Sequence, residues 1–249
     1  MKEFFFLSGL PRSGSTLLSC ILDQNPEIHA EGNSGVCQLM WETQTNVNKN
    51  QQLLASNKIQ VAYELVQYIP LVYYKDVIKN IVIDKCRSWT LPDNMRMIDN
   101  YITKTPKVIV MIRPCAEIIA SYAKLMQENN HTENIEQIML EPLSEPLMRS
   151  YDGVMFAKKY NEGQFIFVNY NDLVNKTKQT IDDIYKHCGW TAFEHDFDNI
   201  VNNYPEDDSF YNLLGMHDVA PKIAKRQIDI KLSDETLEKC AELDKAMFA

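Results

Sequence analysis

Short, continuous apolar runs alternate with longer segments in which apolar residues recur at helical spacing. The clear runs are Phe4–Leu7, Ile81–Lys85, Val108–Ile112 and Gln164–Tyr170, and Ile28–Glu31 is a weaker fifth candidate. Runs of this length are too short for core helices and are typical of strands buried on both faces, as in a parallel sheet. Strands that alternate with helices predict an α/β fold, with a mainly parallel central sheet flanked by helices.

The segments between these runs carry the helical spacing. We predict helices at Thr16–Leu22, Val36–Glu42, Lys58–Tyr68, Val72–Asn80, Met95–Tyr101, Ala116–Gln127, Leu147–Tyr160, Thr177–Cys188 and Ser233–Phe248. Pro70 has no backbone N–H, so we expect it to separate the two segments on either side of it. No repeat or low-complexity linker divides the chain, and residues 1–249 are therefore expected to form a single domain.

The segment that follows the first run carries the strongest indication of chemistry. Ser8–Thr16 has the sequence SGLPRSGST, and its two glycines allow the backbone to wrap tightly and direct successive N–H groups towards one point. A helix begins at the end of this loop, so free amide groups and the positive end of the helix dipole converge there. A strand, a glycine-bearing loop and a helix N-terminus in this order predict a binding site for phosphate or sulfate.

The glycine spacing matches the nucleotide triphosphate loop G-x-x-x-x-G-K-S/T, which favours a fold like that of the P-loop NTPases. Ser15 stands where that loop has its lysine, and Arg12 is the only cation in the loop. Thr16 keeps the hydroxyl that would hold Mg²⁺. The pattern therefore favours an anion cradle without the standard magnesium–triphosphate chemistry over a coincidental turn.

Composition narrows the class of partner. The formal net charge of -9 argues against a nucleic-acid binder and weakens the case for a long polyanionic substrate. No apolar run is long enough to cross a bilayer, and the first residues lack the features of a secretory signal. The six cysteines are scattered without a C-x-x-C pair, which predicts reduced thiols in a cytoplasmic protein and neither a disulfide framework nor a metal site.

Two further strand ends carry residues that suit an anion site. Ligands of an open parallel sheet lie outside the carboxyl ends of its strands, where Lys85 and Arg113 stand. Ser121 follows Arg113 by about two helical turns, so both side chains are able to reach the same side. One guanidinium and one hydroxyl suit a terminal phosphate monoester, although an arginine that pairs with a carboxylate at the start of a helix has the same pattern.

Together these motifs resemble the sulfotransferases that use 3′-phosphoadenosine 5′-phosphosulfate (PAPS) and release 3′-phosphoadenosine 5′-phosphate (PAP). Leu10–Leu17 is similar to the family's 5′-phosphosulfate loop, in the P-R-S-G-S/T-T form of the tyrosylprotein and carbohydrate enzymes. Arg113 with Ser121 looks like the family's 3′-phosphate motif, and Lys85 resembles its strand-end lysine. Phe167–Leu173 is similar to its Y-E-D-L segment. The K-T-H segment of the cytosolic enzymes is absent, since Arg87 stands in the place of its histidine.

The resemblance implies the residues of a donor site. They are Arg12, Ser13, Gly14, Ser15 and Thr16 for the 5′-phosphosulfate, Arg113 and Ser121 for the 3′-phosphate, and Tyr170 for the adenine. The basic segment that closes over PAPS in the cytosolic enzymes is not evident, and Lys222 and Lys225 are expected to substitute for it.

The implied reaction is an in-line transfer of a sulfuryl group from PAPS to a hydroxyl or amine of a small molecule, saccharide or peptide. Arg12 and Lys85 are the expected catalytic cations, and the chemistry requires no metal. The related enzymes use a glutamate just downstream of the first loop as general base. Glu31 and then His29 are the candidates here, and the closest aligned position holds Asn33. His217 is able to reach the site from the C-terminal region, but an isolated histidine in irregular chain is more often at the surface.

Two other functions compete with this one. A nucleotide or small-molecule kinase would use the same loop, and Ser15 in the place of its lysine counts against it. A module that binds PAP without transferring anything would keep the cradle alone, whereas Lys85 and a downstream carboxylate favour an enzyme. The loops that would form an acceptor pocket have no signature that identifies the acceptor.

Overall fold

Five parallel strands form one sheet in the computed structural model, which describes residues 2–160, 162–224 and 228–249. The strands are β1 (Glu3–Gly9), β2 (Ile28–Asn33), β3 (Ile81–Lys85), β4 (Val108–Ile112) and β5 (Phe165–Asn169). Their order across the sheet is β2-β3-β1-β4-β5, and each adjacent pair is parallel. The predicted parallel sheet is confirmed, and the weaker fifth candidate forms its edge strand β2.

Helices cover both faces of the sheet. They are α1 (Ser15–Asp23), α2 (Val36–Val47), α3 (Gln51–Ala55), α4 (Ile59–Tyr73), α5 (Pro92–Tyr101), α6 (Cys115–Glu128), α7 (Ile135–Leu140), α8 (Met148–Lys159), α9 (Tyr170–Asn175), α10 (Thr177–Cys188) and α11 (Asp234–Phe248). Short 3-10 helices span Arg87–Thr90 and Asp208–Tyr211. The single α/β domain with helices around a central sheet is therefore as predicted.

The sequence prediction was wrong at Pro70. One helix, α4, contains Pro70 in its last turns, instead of two helices separated there, and residues 74–80 are not helical. A proline removes only its own N–H from the helix, and the Pro70 carbonyl still accepts from the Tyr74 amide at 3.1 Å. Pro70 is buried, so packing of this turn offsets the lost hydrogen bond. The short helices α3, α7 and α9 were not predicted, because five or six residues are too few to show a helical period.

The central strands are buried on both faces, which explains their continuous apolar character. Along β1, Phe6 packs into the core on the face covered by α6 and α8, whereas Phe5 and Leu7 pack on the opposite face with α1 and α10. Successive residues of a strand point to opposite sides, so one short run supplies both cores. The sheet is thereby held rigidly between two apolar layers.

Two further expectations from the sequence concern the state of the cysteines and the presence of a membrane-spanning helix. All six cysteines are free, and four of them are buried. Among the described residues, no helix combines the length and the apolar character that a membrane span requires.

A buried carboxylate connects three segments at the carboxyl edge of the sheet. Asp84 in β3 is 1% exposed and accepts hydrogen bonds from the hydroxyls of Ser34, at 2.7 Å, and Tyr74, at 2.8 Å. The Trp89 indole N–H donates to the same carboxylate at 2.7 Å. Burial raises the pKa of Asp84, while these three donors favour its charged form. The loop before α2, the end of α4 and the first 3-10 helix are thus fastened to one strand.

A close backbone approach ends β1. Gly9 is paired with Met111 of β4, and the Leu10 amide donates to the Met111 carbonyl at 2.8 Å. Gly9 has φ of +119°, and a Cβ placed on it would lie 2.2 Å from that carbonyl oxygen. Only glycine fits this position without moving the backbone. The chain is therefore able to turn away from the sheet at this point and enter the Pro11–Thr16 loop.

We predict that Gly9→Ala lowers the free energy of unfolding by about 3 kcal/mol or more, because neither the positive φ nor the clash with a carbonyl is relieved by a side-chain rotation. Gly189→Ala is the matched control. Gly189 has φ of +76° at the end of α10, but its Cβ would meet nothing within 4 Å, so the expected loss is about 1 kcal/mol. Urea unfolding measures both losses, and equal values would show that the close approach is not the reason for glycine at position 9.

Candidate active site

The carboxyl ends of the strands open into a cleft of about 400 Å³. Most of the predicted donor-site residues line it, namely Arg12, Gly14, Ser15, Thr16, Lys85, Arg113, Ser121, Tyr170 and Lys222. Strand ends of a parallel sheet lie at one edge, which explains how the residues that follow or end β1, β3, β4 and β5 reach one cavity, while Lys222 joins them from the C-terminal region.

The loop between β1 and α1 forms one wall of the cleft. Gly14 has φ of +87° and is the N-cap of α1, without a side-chain cap for the first N–H groups of that helix. These amide groups have no acceptor within the helix and lie at the positive end of its dipole, as an anion site requires. The Ser13 side chain is fully buried and donates to the Leu10 carbonyl, so it stabilises the turn and does not reach the cleft.

Arg12 links the loop to the far side of the cleft. It has φ of +52°, an uncommon value for a residue with a side chain. Its Nε donates to the Ser121 hydroxyl at 3.2 Å, and another guanidinium nitrogen donates to the Met216 carbonyl. The guanidinium therefore lies beside the Arg113–Ser121 pair instead of over the first amides of α1.

Arg113 is held from three directions. Its side chain is buried, its Nε lies 3.0 Å from a Glu117 carboxylate oxygen, and its Nη1 donates to the Arg12 carbonyl at 2.8 Å. The guanidinium carbon lies 4.1 Å from the centre of the Tyr170 ring. Arg113 thus pairs with a carboxylate in the first turn of α6, as one of the two sequence interpretations expected, and it also lines the cleft.

Tyr170 packs against the loop as well as against Arg113. A Cβ on Gly14 would lie 2.8 Å from an atom of the Tyr170 ring, so the ring rests directly on the start of α1. Tyr170 begins α9 directly after β5, where Asn169 is the N-cap. The ring therefore closes the β5 side of the cleft.

Lys85 lines the cleft at the end of β3. Its side chain is buried and its Nζ donates to the Thr16 hydroxyl at 3.1 Å. Burial lowers the pKa of Lys85 to about 8, while the nearby Glu206 carboxylate opposes that shift. The group is still largely an ammonium at neutral pH, and an anion placed beside it would favour the charged form further.

The two candidate bases from the sequence do not face this cavity. His29 and Glu31 contact each other, with 3.3 Å between His29 Nε2 and a Glu31 carboxylate oxygen. The His29 ring is buried between Tyr74 and Tyr204, with edge-on contacts to both. Neither residue is among the described residues that line the cleft, so their geometry does not support a role as base.

A histidine from the irregular C-terminal region does line the cleft. His217 Nδ1 lies 2.5 Å from an Asp208 carboxylate oxygen, and the other oxygen of that carboxylate accepts from the His217 amide at 3.0 Å. His217 Nε2 lies 3.1 Å from the side-chain nitrogen of Asn33. The tautomer that satisfies both contacts carries its proton on Nδ1 and accepts a hydrogen bond from the Asn33 amide at Nε2.

Asn33 is the position that aligned most closely with the glutamate of the related enzymes. Its side-chain amide contacts His217 and also donates to Glu206 at 3.1 Å, while its backbone N–H donates to Glu206 at 2.9 Å. Asn33 therefore occupies the expected place at the end of β2 but holds two residues of the C-terminal region there. His217 had little weight as a candidate because it lies in irregular chain, where no periodicity indicates that it reaches Asn33.

Of the two basic residues expected to contribute from the C-terminal region, the structure describes only Lys222. Lys222 lines the cleft, and its Nζ lies 3.6 Å from an exposed Asp198 carboxylate oxygen. Lys225 lies outside the described residues.

Comparison with known proteins agrees with this geometry. A model of the sulfotransferase family matches residues 5–195, whereas no curated protein sequence matches the chain. Among solved structures, a sulfotransferase domain from the curacin biosynthetic pathway has a TM-score of 0.59 at 15% identity, covering 98% of this chain and 97% of its own.

Two further structures have the same fold. A sulfotransferase from Alicyclobacillus acidocaldarius has a TM-score of 0.57 at 13% identity, covering 99% of this chain and 94% of its own. A mouse sulfotransferase complexed with PAP has a TM-score of 0.55 at 12% identity, covering 97% of this chain and 82% of its own. With its fold, its cleft and a family match over most of its length, the chain belongs to the sulfotransferase family.

Proposed function

We propose that this protein transfers a sulfuryl group from PAPS to a hydroxyl or amine of an acceptor and releases PAP. One observation supports this most strongly. The Pro11–Thr16 loop, which has no lysine, lines the same cleft as Lys85 and the Arg113–Ser121 pair. A mouse relative of the same fold is complexed with PAP. The acceptor is a small molecule, a saccharide or a peptide, and neither nucleic acid nor membrane is a required partner.

The residues present fit the donor. The first amides of α1 face the cleft and suit the 5′-phosphate end, and Arg113 with Ser121 suits the 3′-phosphate. Arg12 contacts Ser121, so we assign it to the boundary between the two phosphate sites and not to the 5′ end alone. Tyr170 and Lys222 complete the nucleotide side of the cleft.

Lys85 is the residue best placed to stabilise the leaving group. Sulfuryl transfer breaks the S–O bond to the 5′-phosphate, and negative charge grows on the bridging oxygen as it departs. The Lys85 ammonium contacts Thr16 at the start of α1, beside the amides that would hold this phosphate. A buried ammonium in a low-dielectric site stabilises such charge more strongly than one in water.

His217 is the residue best placed to act as general base. Asp208 holds the His217 ring with its proton on Nδ1, which leaves Nε2 to accept the proton of an acceptor hydroxyl as the new S–O bond forms. The products are then the sulfated acceptor, PAP and a proton on His217. Asn33 contacts Nε2 in this structure, so the acceptor hydroxyl would replace or share that contact.

The kinase alternative is less well supported. A triphosphate loop uses its lysine for the terminal phosphates, and Ser15 stands at that position. Lys85 comes from the neighbouring strand and reaches Thr16, the residue whose hydroxyl would otherwise bind Mg²⁺. A cation at this position suits a metal-free reaction. The loop sequence and the absence of a K-T-H segment also favour the carbohydrate and tyrosylprotein type of sulfotransferase over the cytosolic type.

We predict that replacement of Arg113 discriminates between nucleotides. Arg113→Gln should weaken PAP binding by about tenfold to a hundredfold, the usual cost of a lost charge-assisted hydrogen bond. The affinity for adenosine 5′-phosphosulfate, which lacks the 3′-phosphate, should change by less than about threefold. Calorimetric titration measures both. Equal losses would remove Arg113 from the 3′-phosphate site, and circular dichroism checks that the variant is folded.

We predict that His217→Ala lowers turnover by about a hundredfold or more and leaves PAP affinity unchanged, because only proton transfer is lost. Asp208→Asn should have a smaller effect in the same direction, since it removes the group that fixes the ring. PAP release from PAPS in the presence of a phenol or sugar acceptor measures the rate. If Glu31→Gln or His29→Ala lowers the rate and His217→Ala does not, the base is the residue expected from the sequence.

We predict that kcat/KM for PAPS falls as the pH rises through about 8, where Lys85 loses its proton in the protein without bound PAPS. The sign follows from the role of Lys85, since only the ammonium stabilises the departing phosphate. The corresponding fall in kcat should occur at higher pH, because the bound PAPS anion favours the ammonium form of Lys85. In the Lys85→Arg variant, the fall in kcat/KM should move to a pH above 10, because arginine keeps its proton there. A fall that stays near pH 8 would show that another group titrates there.

A further inference from the structure

Arg87 lies in the cleft, and the mechanism above does not use it. It is the first residue of the 3-10 helix that follows β3, two positions beyond Lys85. Its charge acts on Lys85, so its guanidinium lies in the same part of the cleft as that ammonium.

The guanidinium has an unsatisfied donor. Arg87 Nη1 is shielded from solvent and has no hydrogen-bond partner within the part of the chain that the structure describes. No carboxylate in the described ranges forms an ion pair with Arg87. A buried N–H of a charged group without an acceptor is costly, and an acceptor supplied by a ligand of the cleft would remove this cost.

The other cations of the cleft differ from Arg87 in this respect. Arg113 pairs with Glu117 at 3.0 Å, and Lys85 donates to Thr16 at 3.1 Å. Lys124 at the rim lies 3.9 Å from Glu128. Within the described residues, these groups already have an acceptor before any ligand binds, whereas the Nη1 of Arg87 does not.

The backbone of Arg87 is fixed, so the side chain is placed by a rigid turn. The Ser8 hydroxyl donates to the Arg87 carbonyl at 2.8 Å, and Trp89 in the same turn donates to buried Asp84 at 2.7 Å. Preorganisation of this kind lowers the entropy lost when a ligand is bound.

Arg87 lies near other cations of the cleft, and the Glu206 carboxylate also acts on one of them, Lys85. Burial raises the pKa of the nearby Tyr122 hydroxyl, and the positive charges of Arg87 and Arg12 oppose that shift. The charge of Arg87 also contributes to the lowered pKa of Lys85. Several cations gathered around one space repel one another, and an anion that enters that space relieves the repulsion.

We propose that Arg87 binds a carboxylate carried by the acceptor, so that the preferred acceptors are small hydroxy acids or amino acids. This inference rests on the proposed function, because the phosphates of the donor are assigned to the α1 amides, Lys85, Arg113 and Ser121. A guanidinium presents two parallel N–H donors that match the two oxygens of a carboxylate. Arg87 then orients the acceptor while His217 receives the proton of its hydroxyl.

The test compares matched acids and esters on protein saturated with PAP. The probes are 4-hydroxybutyrate, 6-hydroxyhexanoate, 4-hydroxybenzoate and tyrosine, each with its methyl ester, and calorimetry measures their binding. We expect the wild-type protein to bind at least one acid about tenfold more tightly than its ester, the effect of one charge-assisted contact. Arg87→Gln should abolish this preference and leave the affinities for the ester and for PAP unchanged.

Lys124→Gln is the matched control, because it removes one positive charge from the rim of the same cleft, where the Lys124 side chain is about half exposed. It should retain the preference for the acid. Wild-type protein that binds PAP but distinguishes no acid from its ester would overturn the proposal. So would an Arg87→Gln variant that loses affinity for PAPS relative to PAP, since Arg87 would then contact the sulfuryl group. Failure to bind PAP would instead reject the proposed function.

Discussion

The buried carboxylate of Asp84 is the interaction on which the arrangement of the cleft depends. It accepts hydrogen bonds from Ser34, Tyr74 and Trp89, which belong to three separate segments. Two of these segments each place one residue in the cleft: Asn33 directly precedes Ser34, and Arg87 begins the turn that contains Trp89. Lys85 directly follows Asp84 itself. A buried charge with three donors is expensive to disturb, so these positions are fixed relative to one another.

The cleft is positive although the chain as a whole carries a net charge of -9. The repulsion among its cations is reduced by neutral acceptors and by single carboxylates. Arg113 uses the Arg12 carbonyl and Glu117, and Lys85 uses the Thr16 hydroxyl. Such partners orient the cations without neutralising the site, which leaves a favourable field for a polyanionic donor. The acidic character of the remaining surface does not contradict this, because field strength in a cleft depends on the nearest charges.

The fold, and the meeting of most of the predicted residues in one cleft, were predictable, because they follow from local patterns. Short apolar runs indicate strands, and residues such as Lys85 and Arg113 at the ends of parallel strands meet at one edge. The position of Arg12 was less predictable, since its left-handed backbone turns the side chain towards Ser121. Pro70 was misjudged because tertiary packing outweighed a local preference.

The contact between His217 and Asn33 in the cleft was not predictable from local patterns. His217 contacts Asn33 across 184 residues of sequence, within a region that has no periodicity to show where it folds. Conversely, His29 and Glu31 are close to the expected position in sequence, but they contact each other beside Tyr74 and Tyr204 instead of facing the cleft. The register of β2 against β3 shifts between Ala30 and Asn33, so proximity in sequence was a poor guide to which side chain reaches the cleft.

The most direct measurement of the central claim is a calorimetric comparison of PAP with ATP in the presence of Mg²⁺. We expect tight PAP binding that requires no metal and little binding of ATP, because the cleft is lined by Arg113 and Ser121, the proposed 3′-phosphate site, and its loop lacks the lysine of a triphosphate loop. Preferential binding of ATP with Mg²⁺ would contradict it and would favour a kinase.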